Sequence, residues 1–229
     1  MEAHLRSLLG TLSERPKAIV VVSAHWEEQH PTVQTGASPG LLYDYYGFPE
    51  HTYDLSWPAQ GHPELAREVA MLLEAEGFRV GVDAERGYDH GTFVPLSVAI
   101  PEADVPTLQL SLIKGLDPEQ HLAMGRALAP LRTQGVLIVG SGMSYHDLGR
   151  LRPGKRRTIP ESLIFDQCLQ ECVQRSKGER EDALARWAEA PAARASHPRE
   201  EHLMPLHVVA GAAGDDSAEV LFNGTLLGA

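Results

Sequence analysis

Residues 18–28 read AIVVVSAHWEE, an apolar run that leads directly into a histidine and a tryptophan. The run at 18–22 is apolar at every position, which is typical of a strand covered on both faces. We therefore predict a buried strand over 17–23. His25, just beyond that strand, is either a packed core residue or a side chain presented to a ligand, and the remaining sequence has to decide between the two.

Segments 107–112 and 136–139 are apolar in the same way. The predicted strands are 17–23, 78–83, 106–112, 135–142 and 218–224. The predicted helices are 2–14, 62–76, a short buried helix within 88–100, 118–131, 160–188 and 199–214. This alternation indicates an α/β fold with a central, largely parallel or mixed sheet and helices on both faces. We expect a single domain over 1–229, with an irregular, aromatic-rich segment at 29–61 and a basic loop at 149–157.

The charge and composition exclude several classes of function. The net charge of -11 argues against binding to nucleic acid or to anionic membranes, because both need a basic surface. No apolar run approaches the ~20 residues of a membrane helix, and the N-terminus does not resemble a signal peptide. Cys168 and Cys172 are expected to be free thiols. These features predict a cytoplasmic protein.

Histidine is the unusual residue, with 11 in the chain. His25, His90 and His146 each follow a strand or a strand-to-loop exit, and His202 lies near the start of a predicted helix. In open α/β sheets, ligands gather beyond the carboxyl ends of the strands. Because imidazole binds metals and titrates near neutrality, several histidines at that edge predict a metal site or an acid–base site.

The other histidines carry less weight. Those expected on exposed helix faces are His4, His62 and His121. Those expected in loops, where they could line a site, are His30, His51 and His197. His207 lies one and a half turns beyond His202 and is expected to point elsewhere.

Other chemistries find less support in the sequence. No strand is followed by GxGxxG, and there is no P-loop, so the dinucleotide and nucleotide fingerprints are missing. The stretch GSGMS at 140–144 is not G-x-S-x-G in register, which disfavours a serine hydrolase. Zinc-dependent hydrolysis stays open, because zinc also accepts histidine sites.

Six motifs, taken in order, resemble one family. They are AIVVVSAHWEE, GFPEHTYDLSWPAQGHPELA, YDHGTFVPL, DVPTLQLSL, GVLIVGSGMSYHDL and EEHLMPLHVVAGAA. The sequence resembles class III extradiol ring-cleavage dioxygenases, and most closely the 4,5-DOPA extradiol type. The pair S-A-H-W and D-H-G is the specific part of this resemblance, which covers most of the chain.

The resemblance implies roles for the histidines. His25 and His202 correspond to metal ligands, and His146 lies against the metal, where it completes the ligand set and acts as the acid–base residue. His90 corresponds to the histidine that contacts substrate and oxygen, and Tyr53 is expected at the substrate. The aromatic side chains of 43–53 either wall the ring pocket or only pack their own loop. Trp26 is expected to support His25.

The resemblance also implies the cofactor and the substrates. Fe(II) is the expected metal and Zn(II) a further occupant, with a catechol and O2 as substrates and a monomer or homodimer as the assembly. The family opens with a strand that ends in H-G-[ST]-P and supplies another histidine ligand, which has no counterpart here. We therefore expect a chain that is abridged at the N-terminus, and possibly at the C-terminus. The alternative is a non-catalytic relative that binds small molecules or a partner.

Overall fold

The computed structural model describes residues 1–151, 158–225 and 229. The strands are β1 Ala18–Glu28, β2 Thr32–Gln34, β3 Gly81–Asp83, β4 Thr107–Ile113 and β5 Val136–Ser141. The α-helices are α1 Glu2–Ser7, α2 Pro63–Ala75, α3 His90–Ala99, α4 Pro118–Leu128, α5 Pro160–Val173, α6 Lys177–Ala185, α7 Ala193–Ser196 and α8 Met204–Ala213. Short 3-10 helices span Leu8–Thr11, Glu50–Tyr53, Ala129–Gln134 and Trp187–Glu189.

The described strands form a single five-stranded sheet in the order β3-β2-β4-β1-β5. Strand β1 pairs in parallel with both β4 and β5, while β2 runs antiparallel to β4. The predicted mixed α/β sheet is confirmed. Because β1, β4 and β5 are parallel, their carboxyl ends lie at one edge of the sheet.

Alternate residues of β1 enter different cores, because successive side chains of a strand point to opposite faces. Val20 and Val22 face a large core shared with α2, α4, α5 and α8. Ile19 and Val21 face a smaller core that includes Phe93 of α3. Helices therefore cover both faces of the sheet, as the uninterrupted apolar run predicted. His25 is an even number of residues away from Ile19 and Val21, the positions of β1 that face the smaller core.

Strand β1 is longer than predicted, and His25 and Trp26 lie within it rather than after it. Pairing with β4 resumes after an irregularity and continues to Glu28 opposite Ile113, which keeps the backbone extended. The predicted strand at 218–224 is wrong. These residues are exposed and pair with no strand of the described sheet.

The helix boundaries also differ from the predictions. The regular α-helix near the N-terminus ends at Ser7 and continues as a 3-10 turn. Helix α8 begins at Met204, so His202 lies in the turn before it. The predicted basic loop at 149–157 lies largely outside the described residues, at 152–157. Across the part of the chain that is described, every helix is too short or too polar to cross a membrane.

His121 is not on an exposed helix face, and that prediction is wrong. Its side chain is completely buried. The backbone N–H of Ile113 donates to its Nε2 at 3.1 Å, and its Nδ1 lies 2.7 Å from the carbonyl oxygen of Asp117. The imidazole therefore joins β4 to the start of α4, which explains why it is inside.

Candidate active site

The four histidines singled out in the sequence form a continuous row at the carboxyl edge of the sheet. The ring centroids of His90 and His25 are 3.9 Å apart, and those of His25 and His202 are 4.8 Å apart. The row ends at His146, which stacks on His202 with a centroid distance of 3.3 Å. The structure thus brings together side chains from a strand, a helix start, a loop and a turn.

Gly91 allows α3 to approach β1 closely enough for His90 and His25 to touch. A Cβ atom at Gly91 would lie 2.8 Å from Cδ2 of His25 and 2.8 Å from Oγ of Ser23. Both distances are shorter than real Cβ contacts allow. The glycine of the D-H-G motif is therefore required by the close packing of the two histidines.

Asp89 holds together the elements that carry these two histidines. Its buried carboxylate caps α3 by accepting from the backbone N–H of Thr92 at 3.1 Å. The hydroxyl of Ser23 donates to it at 2.8 Å, and the amide of Gln109 donates at 2.6 Å. Asp89 therefore ties strand β1, strand β4 and the start of α3 into one hydrogen-bonded unit. Buried hydrogen-bond networks of this kind make the surrounding structure more rigid.

Trp26 supports this unit through an arginine. The guanidinium of Arg86 lies 4.4 Å from the centroid of the buried Trp26 ring. Arg86 also donates to Asp89 at 3.1 Å. The tryptophan that follows His25 in the sequence therefore packs under the arginine that helps to neutralise Asp89.

The other half of the row is held by the turn before α8. The backbone N–H of Met143 donates to the carbonyl of His202 at 3.0 Å, and a Cβ atom at Gly142 would lie only 2.1 Å from that oxygen. This contact brings the loop after β5 against the turn. The same loop carries His146, whose backbone N–H donates to Ser196 at 2.8 Å.

Glu201 contacts both histidines of this half. Its Oε1 lies 3.0 Å from Nδ1 of His146 and 3.1 Å from Nδ1 of His202. An ionised carboxylate only accepts hydrogen bonds, so each Nδ1 carries the hydrogen and each Nε2 keeps its lone pair. One carboxylate thus orients two imidazoles.

Asp44 plays the equivalent part at the other end of the row. Its Oδ1 lies 2.7 Å from Nδ1 of His90 and accepts from the backbone N–H of the same residue at 2.9 Å. Although burial raises the pKa of Asp44, the hydrogen bonds from His90 outweigh it and hold the pKa below its ordinary value.

The electrostatics keep the central imidazoles neutral. Burial, together with repulsion from His146 and His25, lowers the pKa of His202 to about 2. Burial and repulsion from His90 also lower the pKa of His25. Both rings therefore present unprotonated nitrogens at neutral pH, which is the form that binds metal.

These donors fit a divalent metal. The described residues contain two groups of three donors whose ligand atoms lie within 4.8 Å of one another: His25, Asp44 and His90, and His146, Glu201 and His202. Neutral imidazoles whose other nitrogen faces a carboxylate are the usual partners of transition metals in proteins. Iron and zinc both accept imidazole ligands.

The aromatic loop is ordered by its own hydrogen bonds. The hydroxyls of Tyr43 and Tyr45 each donate to a loop carbonyl at 2.6 Å, from Leu55 and Thr52 respectively. The hydroxyl of Tyr53 lies 3.4 Å from the carbonyl of Tyr45. The ring of Tyr45 lies edge-on to His90 at 5.6 Å, so the loop borders the histidine row. The role of Tyr53 at the substrate stays a prediction.

The remaining histidines lie outside the row. His197 is buried and lies 3.0 Å from the carbonyl of Ser144, to which its Nε2 donates. His207 is buried between the carbonyls of Leu203 and Leu184, and so points elsewhere as expected. His62 caps α2 instead of lying on its exposed face. His51 is exposed in the aromatic loop, and His30 precedes β2.

The family described as the catalytic LigB subunit of aromatic ring-opening dioxygenase matches residues 5–226 of this chain. The chain belongs to the LigB family. A 4,5-DOPA dioxygenase extradiol of Beta vulgaris is 42% identical over 213 residues, covering 92% of this chain and 79% of the relative. A protein of the same name from Escherichia coli K12 is 34% identical over 206 residues, covering 89% and 75%.

The fold of the LigB protein agrees with a solved structure. A crystal structure described as that of an uncharacterised protein from Escherichia coli K12 matches it with a TM-score of 0.85 at 30% identity, covering 99% of this chain and 88% of the other. These findings confirm the predicted family. The protein is a metal-dependent extradiol dioxygenase, an oxidoreductase that opens an aromatic ring. The relatives carry dioxygenase names, and none of them favours a non-catalytic binding protein.

Sequence reasoning missed the carboxylates that orient the histidines. Glu201 precedes His202 directly, and this adjacency was the one signal that pointed to it. Asp44 is 46 residues from His90, and no local pattern connects the two. The contact of Asp89 with Ser23 across 66 residues is equally invisible to a local pattern.

Proposed function

We propose that this LigB protein binds Fe(II) through His25, His202 and His146 and cleaves a catechol next to one of its two hydroxyl groups. The supporting observation is the unbroken row of imidazoles, with ring centroids 3.3–4.8 Å apart, at the carboxyl edge of the sheet. When bound, Fe(II) supplies a redox-active centre at which catechol and O2 meet.

His25 and His202 are the binding members of this set. Both rings are neutral, and His202 is held by Glu201 with its Nε2 free. The buried Asp89 unit fixes the strand that carries His25. Rigid supports of this kind hold donor atoms in place before the metal arrives, which raises affinity.

His146 exchanges the substrate proton. With Nδ1–H donated to Glu201, its Nε2 is free to accept a phenolic proton and to return it later in the reaction. The same nitrogen cannot bind metal and accept a proton at once. His146 would therefore act on the substrate only while its Nε2 is not bound to the metal.

His90 and the aromatic loop contact the substrate. His90 stands at the outer end of the row with 31% of its side chain exposed, more than the 15% of His146. Tyr45 lies beside His90 and Tyr53 packs against Tyr45, and the two rings supply aromatic surface for a catechol ring. The relatives named for DOPA make that catechol the first to test.

The test is oxygen uptake with a panel of catechols that includes DOPA. Protein is stripped of metal and reloaded anaerobically with Fe(II) or Zn(II), and product is followed by absorbance and mass spectrometry. We expect the Fe(II) form to consume one O2 per ring opened and to yield a semialdehyde, the extradiol product. A dicarboxylic acid from cleavage between the hydroxyls, or equal rates with Zn(II), would contradict the proposal.

A further inference from the structure

Asp44 holds His90 at two points. Its Oδ1 accepts from the backbone N–H of His90 at 2.9 Å and lies 2.7 Å from Nδ1 of the ring. His90 is the first residue of α3, so this carboxylate sits at the start of the helix and beside the imidazole at once. Asp44 has no assigned role in the proposed reaction.

The chemistry of this pair determines which nitrogen of His90 carries hydrogen. A carboxylate has acceptors only, and a neutral imidazole has one N–H and one lone pair. Nδ1 of His90 must therefore donate to Asp44, which leaves Nε2 as an acceptor. Nε2 of a histidine in this state can receive a hydrogen bond from a hydroxyl group but cannot give one.

We propose that Asp44 is a positioning residue that holds His90 as the Nδ1–H tautomer, with Nε2 ready to accept a hydrogen bond from a substrate hydroxyl. This inference rests on the proposed function, in which His90 contacts the substrate. It extends that function by making His90 an acceptor and by assigning the aromatic loop a part in setting its tautomer.

The loop delivers Asp44 through fixed backbone contacts. The N–H of Leu42 donates to the carbonyl of Tyr88 at 2.7 Å, and the N–H of Tyr88 donates to the carbonyl of Gly40 at 2.8 Å. This pairing aligns the loop with the segment that leads into α3. Asp44 and His90 follow these contacts on two segments of the chain that run side by side, so the contact between them is preorganised.

The tautomer is directly measurable. The full chain, metal-free and labelled with ¹⁵N in its histidine rings, is observed by two-bond ¹H–¹⁵N correlation, and His90→Gln assigns the signal. We expect the Nδ1–H pattern in the native protein. Asp44→Asn leaves a neutral amide oxygen, a weaker acceptor, opposite the backbone N–H and Nδ1, and should shift His90 towards the Nε2–H form. Asp44→Glu keeps a carboxylate and should retain the native pattern in part.

Asp54→Asn is the matched control. Asp54 is exposed in the same loop, and no side-chain hydrogen bond is seen for it among the described residues. The tautomer of His90 should stay unchanged in this variant. Thermal melting of each variant shows whether it folds.

Kinetics complete the test. In the Fe(II)-loaded enzyme we expect Asp44→Asn to lower kcat/KM for a catechol roughly 10- to 100-fold, the range that misplacement of a substrate-contacting group produces. Asp54→Asn should match the native enzyme. An unchanged tautomer in Asp44→Asn overturns the proposal, as does a changed tautomer with unchanged kcat/KM. A native protein that opens no catechol rejects the proposed function, and the spectra then decide the Asp44–His90 coupling by themselves.

Discussion

His146 and His202 lie face to face with ring centroids 3.3 Å apart and planes inclined by 20°. Both Nδ1 atoms lie against the same oxygen of Glu201. Burial, together with repulsion from His146 and His25, lowers the pKa of His202 to about 2, so the neutral form of the His202 ring is favoured. A divalent cation nearby reinforces this preference, because it also binds the unprotonated form.

His146→Gln should lower turnover more than substrate affinity. The change removes a nitrogen that accepts and returns a proton, and such groups contribute about 10²–10⁴-fold. We expect kcat for catechol cleavage to fall within that range while KM changes little. Oxygen uptake at matched metal content measures both. His4→Gln, on α1, is the control, and unchanged turnover in His146→Gln would reject the acid–base role.

Glu201→Gln should weaken metal binding. A neutral amide oxygen accepts hydrogen bonds more weakly than a carboxylate oxygen, so the two rings lose part of the interaction that orients them. Loss of such a support typically costs about 10–100-fold in affinity. Competition of Zn(II) between the protein and a chelator measures this without turnover. Glu200→Gln removes the neighbouring carboxylate, which pairs with Arg194, and should leave the affinity close to native.

Gly91→Ala should disturb the site more than its size suggests. The added Cβ would lie 2.8 Å from both His25 and Ser23, and the backbone would have to move away. Overpacking of this kind costs about 1–3 kcal/mol. We expect a lower melting temperature and weaker Zn(II) binding. Gly178→Ala, in α6 with no neighbour within 4 Å, should be neutral or stabilising. Native Zn(II) affinity in Gly91→Ala would refute the close-packing explanation.

Stability should fall as the pH drops from about 6.5 towards 4, in part because of His121. Burial lowers the pKa of this imidazole from 6.5 to about 4 in the folded protein. Between pH 6.5 and about 4, His121 therefore binds a proton in the unfolded chain but not in the folded chain. The stabilisation is complete above pH 6.5 and is lost below it. Between about pH 7 and pH 5 this group alone should cost about 2 kcal/mol of unfolding free energy.

His121→Gln tests this by removing the titration while keeping a group that can accept from Ile113. Denaturant unfolding at both pH values gives the loss for each protein. The loss should be smaller in the variant by about 2 kcal/mol. Some acid sensitivity should remain, because burial also lowers the pKa of His197 to about 4. Equal losses in the two proteins would show that His121 does not titrate in this range.

The sequence alone determined the α/β class and the edge of the sheet at which the candidate site lies. The apolar run of β1 predicts a strand covered on both faces, and Val20 and Ile19 do enter cores on opposite sides. The motifs around His25, His90, His146 and His202 pointed to one family and to one cluster. These features are local or are carried by short motifs, so they can be predicted from the sequence.

Only the tertiary structure decided which carboxylate meets which imidazole. Asp44 and His90 are 46 residues apart, and His146 and Glu201 are 55 apart. The burial of His121 and the absence of a strand at 218–224 likewise depended on neighbours, namely a backbone N–H to accept from and a strand to pair with. Hydrophobic periodicity records which face of an element is buried, but not which distant polar group the packing will place opposite a given side chain.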